Sequence, residues 1–288
     1  MNRLISGASK IGRLLLANKI SRHSPFLEPL QFDYEVSSSL LQCLDTNGRK
    51  LYQVEFREGP PVGGLAIAEL VTPKAGTMRI VDLGTGNGII SIAIAARGCD
   101  SILAVDISER DCSLASGNVR RNHKEHAIDV LRGDLAGPLM DKAIDIVISN
   151  PPQLPTDVAE PDKRNFAGPT GYEVIDRIIS QSKTCLIPSG ELWLYVLGFL
   201  GVEKATGSLP CLFERLRSAG FHPRVKRRLR RTYSRDTSVL EALPLIRALY
   251  PISDVAINFP NAGYYEAFVV CASQRNHEER EQCRGDVA

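Results

Sequence analysis

Acidic and amide side chains follow a series of short apolar runs in the middle of the chain. Asp82 lies near the end of the first run, just before a glycine-rich turn at 84–88. Asp106 ends the next run, and Asn150 follows a later run and precedes two prolines. Carboxylates attract cations and accept hydrogen bonds from hydroxyl groups, and an amide oxygen accepts N–H groups. The pattern therefore predicts a site that binds a cationic ligand and orients a nitrogen.

The glycine-rich turn separates a strand-like run from a helix-like run. Ile80-Val81-Asp82-Leu83 predicts a buried strand, and the Ile-rich segment from 89 to 96 predicts a helix. Glycines at alternate positions let a ligand approach main-chain atoms that a Cβ would cover. We expect a nucleotide site whose contacts include Asp82, Gly84, Thr85, Gly86, Asn87 and Gly88.

The glycine-rich turn departs from the dinucleotide-binding pattern, and the departures indicate which kind of nucleotide it would bind. That pattern needs Gly-x-Gly-x-x-Gly, but here the third glycine comes one place early and Ile89 occupies its position. Asp82 would repel a pyrophosphate, whereas it would attract an amino group. S-adenosylmethionine has an adenosine, an amino group, a cationic sulfonium and no phosphate, so these residues favour it. An ordinary strand–helix turn without a ligand is the alternative.

Two further acids follow the next apolar runs. Asp106 follows the glycine turn at a sequence separation where an acid can accept hydrogen bonds from both ribose hydroxyls of a bound nucleotide. Asp134 has two interpretations, as an acceptor for an adenine amino group or as a turn aspartate that caps the next segment. Ile107 and Leu135, the residues after these acids, complete the expected cofactor contacts.

The segment Asn150-Pro151-Pro152-Gln153 is the candidate catalytic segment, and Asn150 is also a candidate cofactor contact. Pro151 disfavours a helical conformation at Asn150, and each proline fixes its own φ. Neither proline has an N–H group, so the turn presents carbonyl oxygens and the Asn150 side chain. A rigid turn rich in acceptors can hold an N–H donor in one orientation.

Taken in order, the segment 81–88, Asp106, Asp134 and the segment 150–152 resemble the class I methyltransferases that use S-adenosylmethionine. Their Asn-Pro-Pro branch includes the glutamine methyltransferases of release factors and the exocyclic-amino methyltransferases of nucleic-acid bases. The segment 166–172 is similar to the one that follows this motif in the glutamine enzymes. The resemblance covers about half of the chain. It implies a Rossmann-like α/β fold with a seven-stranded sheet, and S-adenosylmethionine as cofactor.

Gln153 departs from this family, which usually has an aromatic residue that stacks on the planar acceptor. Stacking contributes about 1–3 kcal/mol per base, so its absence weakens a nucleic-acid interpretation, and Gln153 is expected to bond a polar small molecule or an amide instead. The leading hypothesis is N-methyl transfer to an amide or amino nitrogen of a small molecule or protein side chain. The alternatives are base methylation in RNA or DNA, and an acceptor-free reaction such as intramolecular attack within the cofactor.

The composition indicates a globular protein without an obvious macromolecular partner. Hydrophobic residues make up 43% of the chain, charged residues 24%, and the net charge is +2. The seven cysteines are scattered and never spaced as Cys-x-x-Cys, so we expect neither a metal site nor a disulfide framework, and a cytoplasmic location. No apolar run approaches the ~20 residues of a membrane span.

Three regions are expected along the chain. Residues 1–76 predict an N-terminal helix and a β-hairpin cap, with Asn47-Gly48 at the hairpin turn and a glycine-rich loop at 59–64 before a helix from Leu65 to Val71. Residues 77–274 form the catalytic domain, with a helical insertion near 236–260, and 275–288 form a tail. We expect the insertion and the N-terminal segment to enclose the acceptor pocket. The basic N-terminal segment predicts a helix packed on the domain or, alternatively, an import signal.

A basic run near residue 230 has two interpretations. It consists of Arg224, Lys226, Arg227, Arg228, Arg230, Arg231 and Arg235. A phosphate-binding patch would make affinity fall steeply with salt. Charges along an exposed strand edge would instead block edge-to-edge pairing. The near-neutral chain and the scarcity of interleaved aromatic residues favour the strand edge.

Overall fold

The computed structural model describes residues 30, 33–45, 47–57, 61–72, 78–139, 143–158, 164–232, 237–258 and 264–274. The predicted N-terminal helix and the predicted tail lie outside these residues. Within them, no helix combines the length and the apolar character needed to cross a lipid bilayer.

A small antiparallel sheet precedes the main domain. Its strands are β1 (Asp33–Val36), β2 (Leu40–Leu44) and β3 (Lys50–Glu55), in the order β1-β2-β3. Gly48 has a φ of +76° in the turn between β2 and β3, a conformation that favours glycine. The predicted Asn-Gly hairpin is therefore confirmed, and β1 extends it by one strand.

The main sheet has seven strands in the order β6-β5-β4-β7-β8-β10-β9. They are β4 (Ile80–Leu83), β5 (Ile102–Asp106), β6 (Ile128–Arg132), β7 (Ile144–Ser149), β8 (Leu186–Leu197), β9 (His222–Thr232) and β10 (Tyr264–Ser273). Neighbours among β4 to β8 pair in parallel, whereas β10 is antiparallel to both β8 and β9. This order confirms the predicted Rossmann-like α/β fold.

Seven helices are described. They are α1 (Val62–Ala68), α2 (Ile89–Ala95), α3 (Glu109–Arg121), α4 (Glu173–Cys185), α5 (Leu212–Ser218), α6 (Thr237–Leu249) and α7 (Asp254–Asn258). The parallel strands β4, β5 and β7 are mostly buried because helices connect them and cover the sheet. The helices α6 and α7 lie between β9 and β10, where the sequence predicts a helical insertion.

The predicted boundary before α1 is wrong, because Gly63 and Gly64 lie inside the helix and not in a loop. A Cβ built on Gly64 would lie 2.5 Å from Cγ2 of Ile89, at the start of α2. A Cβ on Gly63 would lie 3.2 Å from both Asn150 Nδ2 and Tyr195 Cε1. The two glycines therefore let α1 approach α2 and the end of the central sheet.

We expect Gly64→Ala to destabilise the protein by about 1–3 kcal/mol, because the new methyl group overlaps a buried isoleucine in a well-packed core. Gly117→Ala is the matched control in α3, since its Cβ would meet nothing within 4 Å. Alanine has the better helix propensity, so this second change should stabilise by about 0.5–1 kcal/mol. Urea denaturation measures both free energies of unfolding, and shifts of the same sign would contradict the packing argument.

Candidate active site

The predicted site residues meet at the carboxyl edge of the parallel strands. Asp82 on β4 pairs in register with Ala104 on β5 and with Ile148 on β7. The segments that follow these three strands therefore begin side by side. In open α/β sheets, ligands bind at this edge where the strand order reverses. The glycine turn, Asp106 and Asn150 come together there as the sequence predicts.

The glycine turn has the backbone conformation that its residue types require. Gly84, Gly86 and Gly88 have φ values of +71°, +57° and +82°, which residues with a Cβ rarely adopt. A Cβ on Gly84 or Gly86 would meet no atom within 4 Å, so main-chain atoms of the turn lie next to open space. Asn118 on α3 donates from Nδ2 to the carbonyl of Asn87 (2.9 Å) and fixes the far side of the turn.

Asp82 lies at the base of this turn and is fully buried. Its Oδ2 accepts hydrogen bonds from Thr85 Oγ1 (2.7 Å) and Ser91 Oγ (2.8 Å). Its Oδ1 is buried and accepts none from the described residues. Burial is the main cause that raises the pKa of Asp82 to about 6, and the negative charge of Asp106 adds to it. A cation bound nearby would relieve both costs.

The raised pKa predicts that Asp82 makes stability depend on pH. In the folded state the carboxyl keeps its proton to about pH 6, whereas the ordinary pKa is 3.8. Between these values the native state binds more protons than the unfolded state, so the Asp82 contribution to the free energy of unfolding falls as pH rises. Urea denaturation across this window should show a flatter dependence for Asp82→Asn than for the wild type. Asp129→Asn, at an exposed position, is the control, and equal slopes for Asp82→Asn and wild type would refute the assignment.

Asp106 joins the end of β5 to the glycine turn. Its Oδ2 accepts from the Gly86 N–H (2.9 Å), and its Oδ1 accepts from the Ser108 N–H (2.9 Å). Burial raises the pKa of Asp106, and these two hydrogen bonds oppose the shift. Ile107 beside it exposes 64% of its surface. The carboxylate is thus held in place with acceptor capacity to spare, next to an exposed apolar side chain.

Asp134 is less clearly part of the site. Its Oδ2 forms an ion pair with Arg177 on α4 (2.6 Å), and both side chains are about half exposed. Leu135 has a φ of +52°, an uncommon value for a residue with a Cβ. The ion pair uses Oδ2 of Asp134, and Oδ1 has no partner among the described residues. The contact with an adenine amino group therefore stays a prediction, as does the alternative that Asp134 is a turn aspartate.

Asn150 follows β7 directly, and its side chain makes no hydrogen bond to the described residues. Ser149 before it donates from Oγ to the carbonyl of Leu83 (2.7 Å) and so ties the end of β7 to the start of the glycine turn. Gly63 on α1 lies close to the Asn150 amide and to the ring of Tyr195, because a Cβ built on it would lie 3.2 Å from an atom of each. The amide is thus approached closely by α1, while its hydrogen-bonding groups have no partner among the described residues.

Gln153 does not take the place that the sequence predicts for it. It is 5% exposed, and its amide donates to the carbonyls of Pro151 (3.2 Å) and Tyr195 (3.3 Å). Its Oε1 accepts from the Leu197 N–H (2.6 Å). The expected bond from Gln153 to the acceptor is corrected accordingly, because these groups are already engaged within the protein.

Several neighbours of the site escape sequence reasoning. Gly63 and Tyr195 are distant in sequence from Asn150, and two glycines inside a helix-like segment are the one local signal of close packing. Arg164 lies beyond the proline turn and forms an ion pair with Asp111 on α3 (2.9 Å). It thereby links the segment after the proline turn to α3.

Arg235 lies outside the described residues, and the rest of the basic run occupies β9, which is an edge strand of the main sheet. Arg227 pairs with Glu69 (2.7 Å), Arg228 pairs with Glu203, and Arg230 lies over the ring of Tyr264. The strand-edge interpretation is supported, because these three arginines already have partners within the chain.

The inserted helix α6 contacts the segment that follows the proline turn. Asn165 donates from Nδ2 to Ser238 Oγ (3.0 Å), and the Tyr250 hydroxyl beyond α6 donates to the carbonyl of Thr170 (2.5 Å). These contacts place the insertion beside this segment, and its enclosure of the acceptor pocket stays a prediction. The part expected from the N-terminal segment lies outside the described residues.

S-adenosylmethionine fits these residues on two observations. The buried Oδ1 of Asp82 is an unused acceptor at the base of the glycine turn. The negative charge of Asp106 is close enough to add to the raised pKa of Asp82, and this concentration of negative charge disfavours a phosphate and favours a cation. Asp82 and Asp106 would bind the amino group and the ribose hydroxyls, respectively. The bound cofactor would supply an electrophilic methyl group.

The order of the seven strands, with the candidate site at the carboxyl edge of the parallel ones, defines the fold of the class I methyltransferases. The model of the methyltransferase small domain family matches residues 63–221, more than half of the chain, and the chain belongs to that family.

Curated relatives agree with this class. The chain is 34% identical over 134 residues to the release factor glutamine methyltransferase of Gloeobacter violaceus, covering 43% of this chain and 47% of that one. It is 31% identical over 155 residues to a ribosomal protein uL3 glutamine methyltransferase of Bradyrhizobium diazoefficiens, covering 50% and 49%. It is 32% identical over 119 residues to a tRNA1(Val) (adenine(37)-N6)-methyltransferase of Parabacteroides distasonis, covering 40% and 50%. The matches thus span about half the length of these relatives.

Proposed function

We propose that this protein is a cytoplasmic, S-adenosylmethionine-dependent N-methyltransferase that acts on an amide or amino nitrogen of a protein side chain or small molecule. The observation that carries the proposal is the position of Asn150. Its unengaged amide follows β7 next to the glycine turn of β4, at the edge where ligands bind in such sheets.

The site residues act mainly by orientation. Asn150 Oδ1 and the Pro151 carbonyl accept the two hydrogens of a planar nitrogen and direct its lone pair toward the cofactor. Alignment of this kind can lower the barrier by about 7–11 kcal/mol. The cofactor would supply the methyl group: its sulfur–methyl bond would break as the nitrogen–carbon bond forms, leaving neutral S-adenosylhomocysteine, and the positively charged nitrogen would then release one of its hydrogens as a proton. A strong general base is not required for that release.

An amide acceptor is favoured over a nucleic-acid base by two contacts of this chain. Gln153 is buried and engaged, so its position offers no aromatic surface on which a base would stack for about 1–3 kcal/mol. Two arginines of β9, Arg227 and Arg228, form ion pairs within the chain and so are less available to phosphates. The similarity to both glutamine and adenine methyltransferases makes base methylation the outcome to test against.

Calorimetry with S-adenosylhomocysteine tests cofactor binding, and S-adenosylmethionine with a radioactive methyl group tests transfer. The protein is incubated with separated protein, RNA and metabolite fractions of a cell lysate. Label in the protein fraction that acid hydrolysis releases as volatile methylamine would support an amide acceptor. Label recovered in methylated nucleosides would favour base methylation. Cofactor consumption without label in any acceptor would contradict methyl transfer.

A further inference from the structure

We infer that Gln153 is a positioning residue that orients the Pro151 carbonyl for the acceptor nitrogen, an inference that rests on the proposed function. Gln153 is buried beside the turn it would control. It stands where the resembling enzymes have an aromatic residue, so its role in this chain differs from stacking.

The turn is unusual in how its carbonyls are held. Pro151 and Pro152 have no N–H groups, so they donate no backbone hydrogen bonds. The next two backbone donors, the N–H groups of Gln153 and Leu154, both donate to the carbonyl of Asn165 (3.0 and 2.8 Å). Among the described residues, the Pro151 carbonyl accepts its hydrogen bond from the Gln153 side chain.

The same side chain anchors the turn to the neighbouring strand. A glutamine amide has two N–H donors and one carbonyl acceptor. One donation goes to Pro151, the other goes to the carbonyl of Tyr195, and the acceptor binds the N–H of Leu197. Since Tyr195 and Leu197 lie at the end of β8, the orientation of the Pro151 carbonyl is fixed relative to the main sheet.

The hydrogen bond from Gln153 leaves one lone pair of the Pro151 carbonyl for the acceptor nitrogen. A carbonyl oxygen has two lone pairs, and Gln153 uses one on Pro151. The other remains for an N–H of the acceptor, whose second hydrogen goes to Asn150. Rotation of the peptide group after Pro151 would misalign the nitrogen even though Asn150 and the cofactor site stay in place. A misplacement of about 1 Å can cost about 100-fold in rate.

Two Gln153 variants remove different sets of its side-chain hydrogen bonds. Gln153→Met has similar length and loses all three hydrogen bonds. Gln153→Glu keeps an acceptor for the Leu197 N–H, but a carboxyl group has at most one proton, so it cannot donate to both Pro151 and Tyr195, and when ionised it donates to neither. Asn122→Leu is the matched control, because Asn122 bonds both backbone groups of Gln53 on β3, away from the turn (2.9 and 2.6 Å).

We expect both Gln153 variants to lower kcat by about 10–100-fold, while the acceptor KM and the affinity for S-adenosylhomocysteine stay within about twofold of wild type. Asn122→Leu should lose stability and keep kcat. Unchanged kcat in a folded Gln153 variant, a rise in acceptor KM alone, or a parallel loss of cofactor binding would each overturn the inference. If one variant does not fold, the other decides. A wild-type protein that binds cofactor but methylates nothing would instead count against the proposed function, and the inference would be rejected with it.

Discussion

Asn150→Ala is expected to lower kcat for methyl transfer by about 100- to 1000-fold, the cost typical of removing one oriented hydrogen-bonding group from a reacting centre. The alanine keeps the strand and both prolines but cannot accept a hydrogen from the acceptor nitrogen. That nitrogen can then rotate, and its lone pair is no longer held in line with the methyl group. Binding of S-adenosylhomocysteine should change little, because Asp82, Asp106 and the glycine turn remain. The measurement is turnover with the labelled cofactor, together with calorimetry.

Two further variants test whether the effect of Asn150→Ala comes from the lost hydrogen-bond acceptor. Asn150→Asp retains side-chain oxygens that accept hydrogen bonds and should keep part of the activity that alanine loses. Asn122→Ala makes the same substitution at the residue that follows α3 and should leave kcat unchanged. Wild-type turnover in Asn150→Ala would eliminate the proposed role. Loss of cofactor binding in that variant would make Asn150 a cofactor residue and not an acceptor-orienting one.

Asp106→Ala is expected to weaken binding of S-adenosylhomocysteine by about 100-fold or more. Each hydrogen bond to a charged group contributes about 1.5–3 kcal/mol, and this carboxylate would accept two ribose hydroxyls. The change also removes the acceptor of the Gly86 N–H, so the glycine turn loses a support at the same position. Calorimetric titration measures the effect without any knowledge of the acceptor.

The neighbouring strand offers a control for Asp106. Asp129 on β6 is exposed, and Asp129→Ala should leave the dissociation constant at its wild-type value. Asp106→Asn retains one side-chain oxygen and should fall between wild type and alanine. An unchanged dissociation constant for Asp106→Ala would contradict the ribose contact and with it the placement of the cofactor.

Tertiary contacts also change the interpretation of the acceptor. The sequence alone leaves the basic run open to a nucleic-acid partner, and it predicts that Gln153 bonds a polar small molecule or an amide. In the structure, Arg227 and Arg228 form ion pairs within the chain. The Gln153 side chain forms hydrogen bonds with backbone groups of Pro151, Tyr195 and Leu197. Asn150 and Pro151, the proposed acceptors of the two hydrogens, therefore belong to a turn that Gln153 holds from inside the protein.

Local pattern by itself determined the strands, the glycine turn and the order of Asp82, Asp106 and Asn150. Apolar periodicity, glycine at positive φ and proline at fixed φ are properties of neighbouring residues, so they can be read from the sequence alone. Parallel strands then bring their carboxyl ends to one edge, which places the three side chains together.

The tertiary structure alone decided which polar groups remain free. Gln153 is engaged by Tyr195 and Leu197, more than forty positions further along the chain, and Gly63 meets Asn150 from an even greater separation. A side chain's hydrogen-bonding partners depend on which distant segments fold against it, and no local spacing records that. The physical reason is burial, since each enclosed polar group must find a partner inside the fold or be left for a ligand.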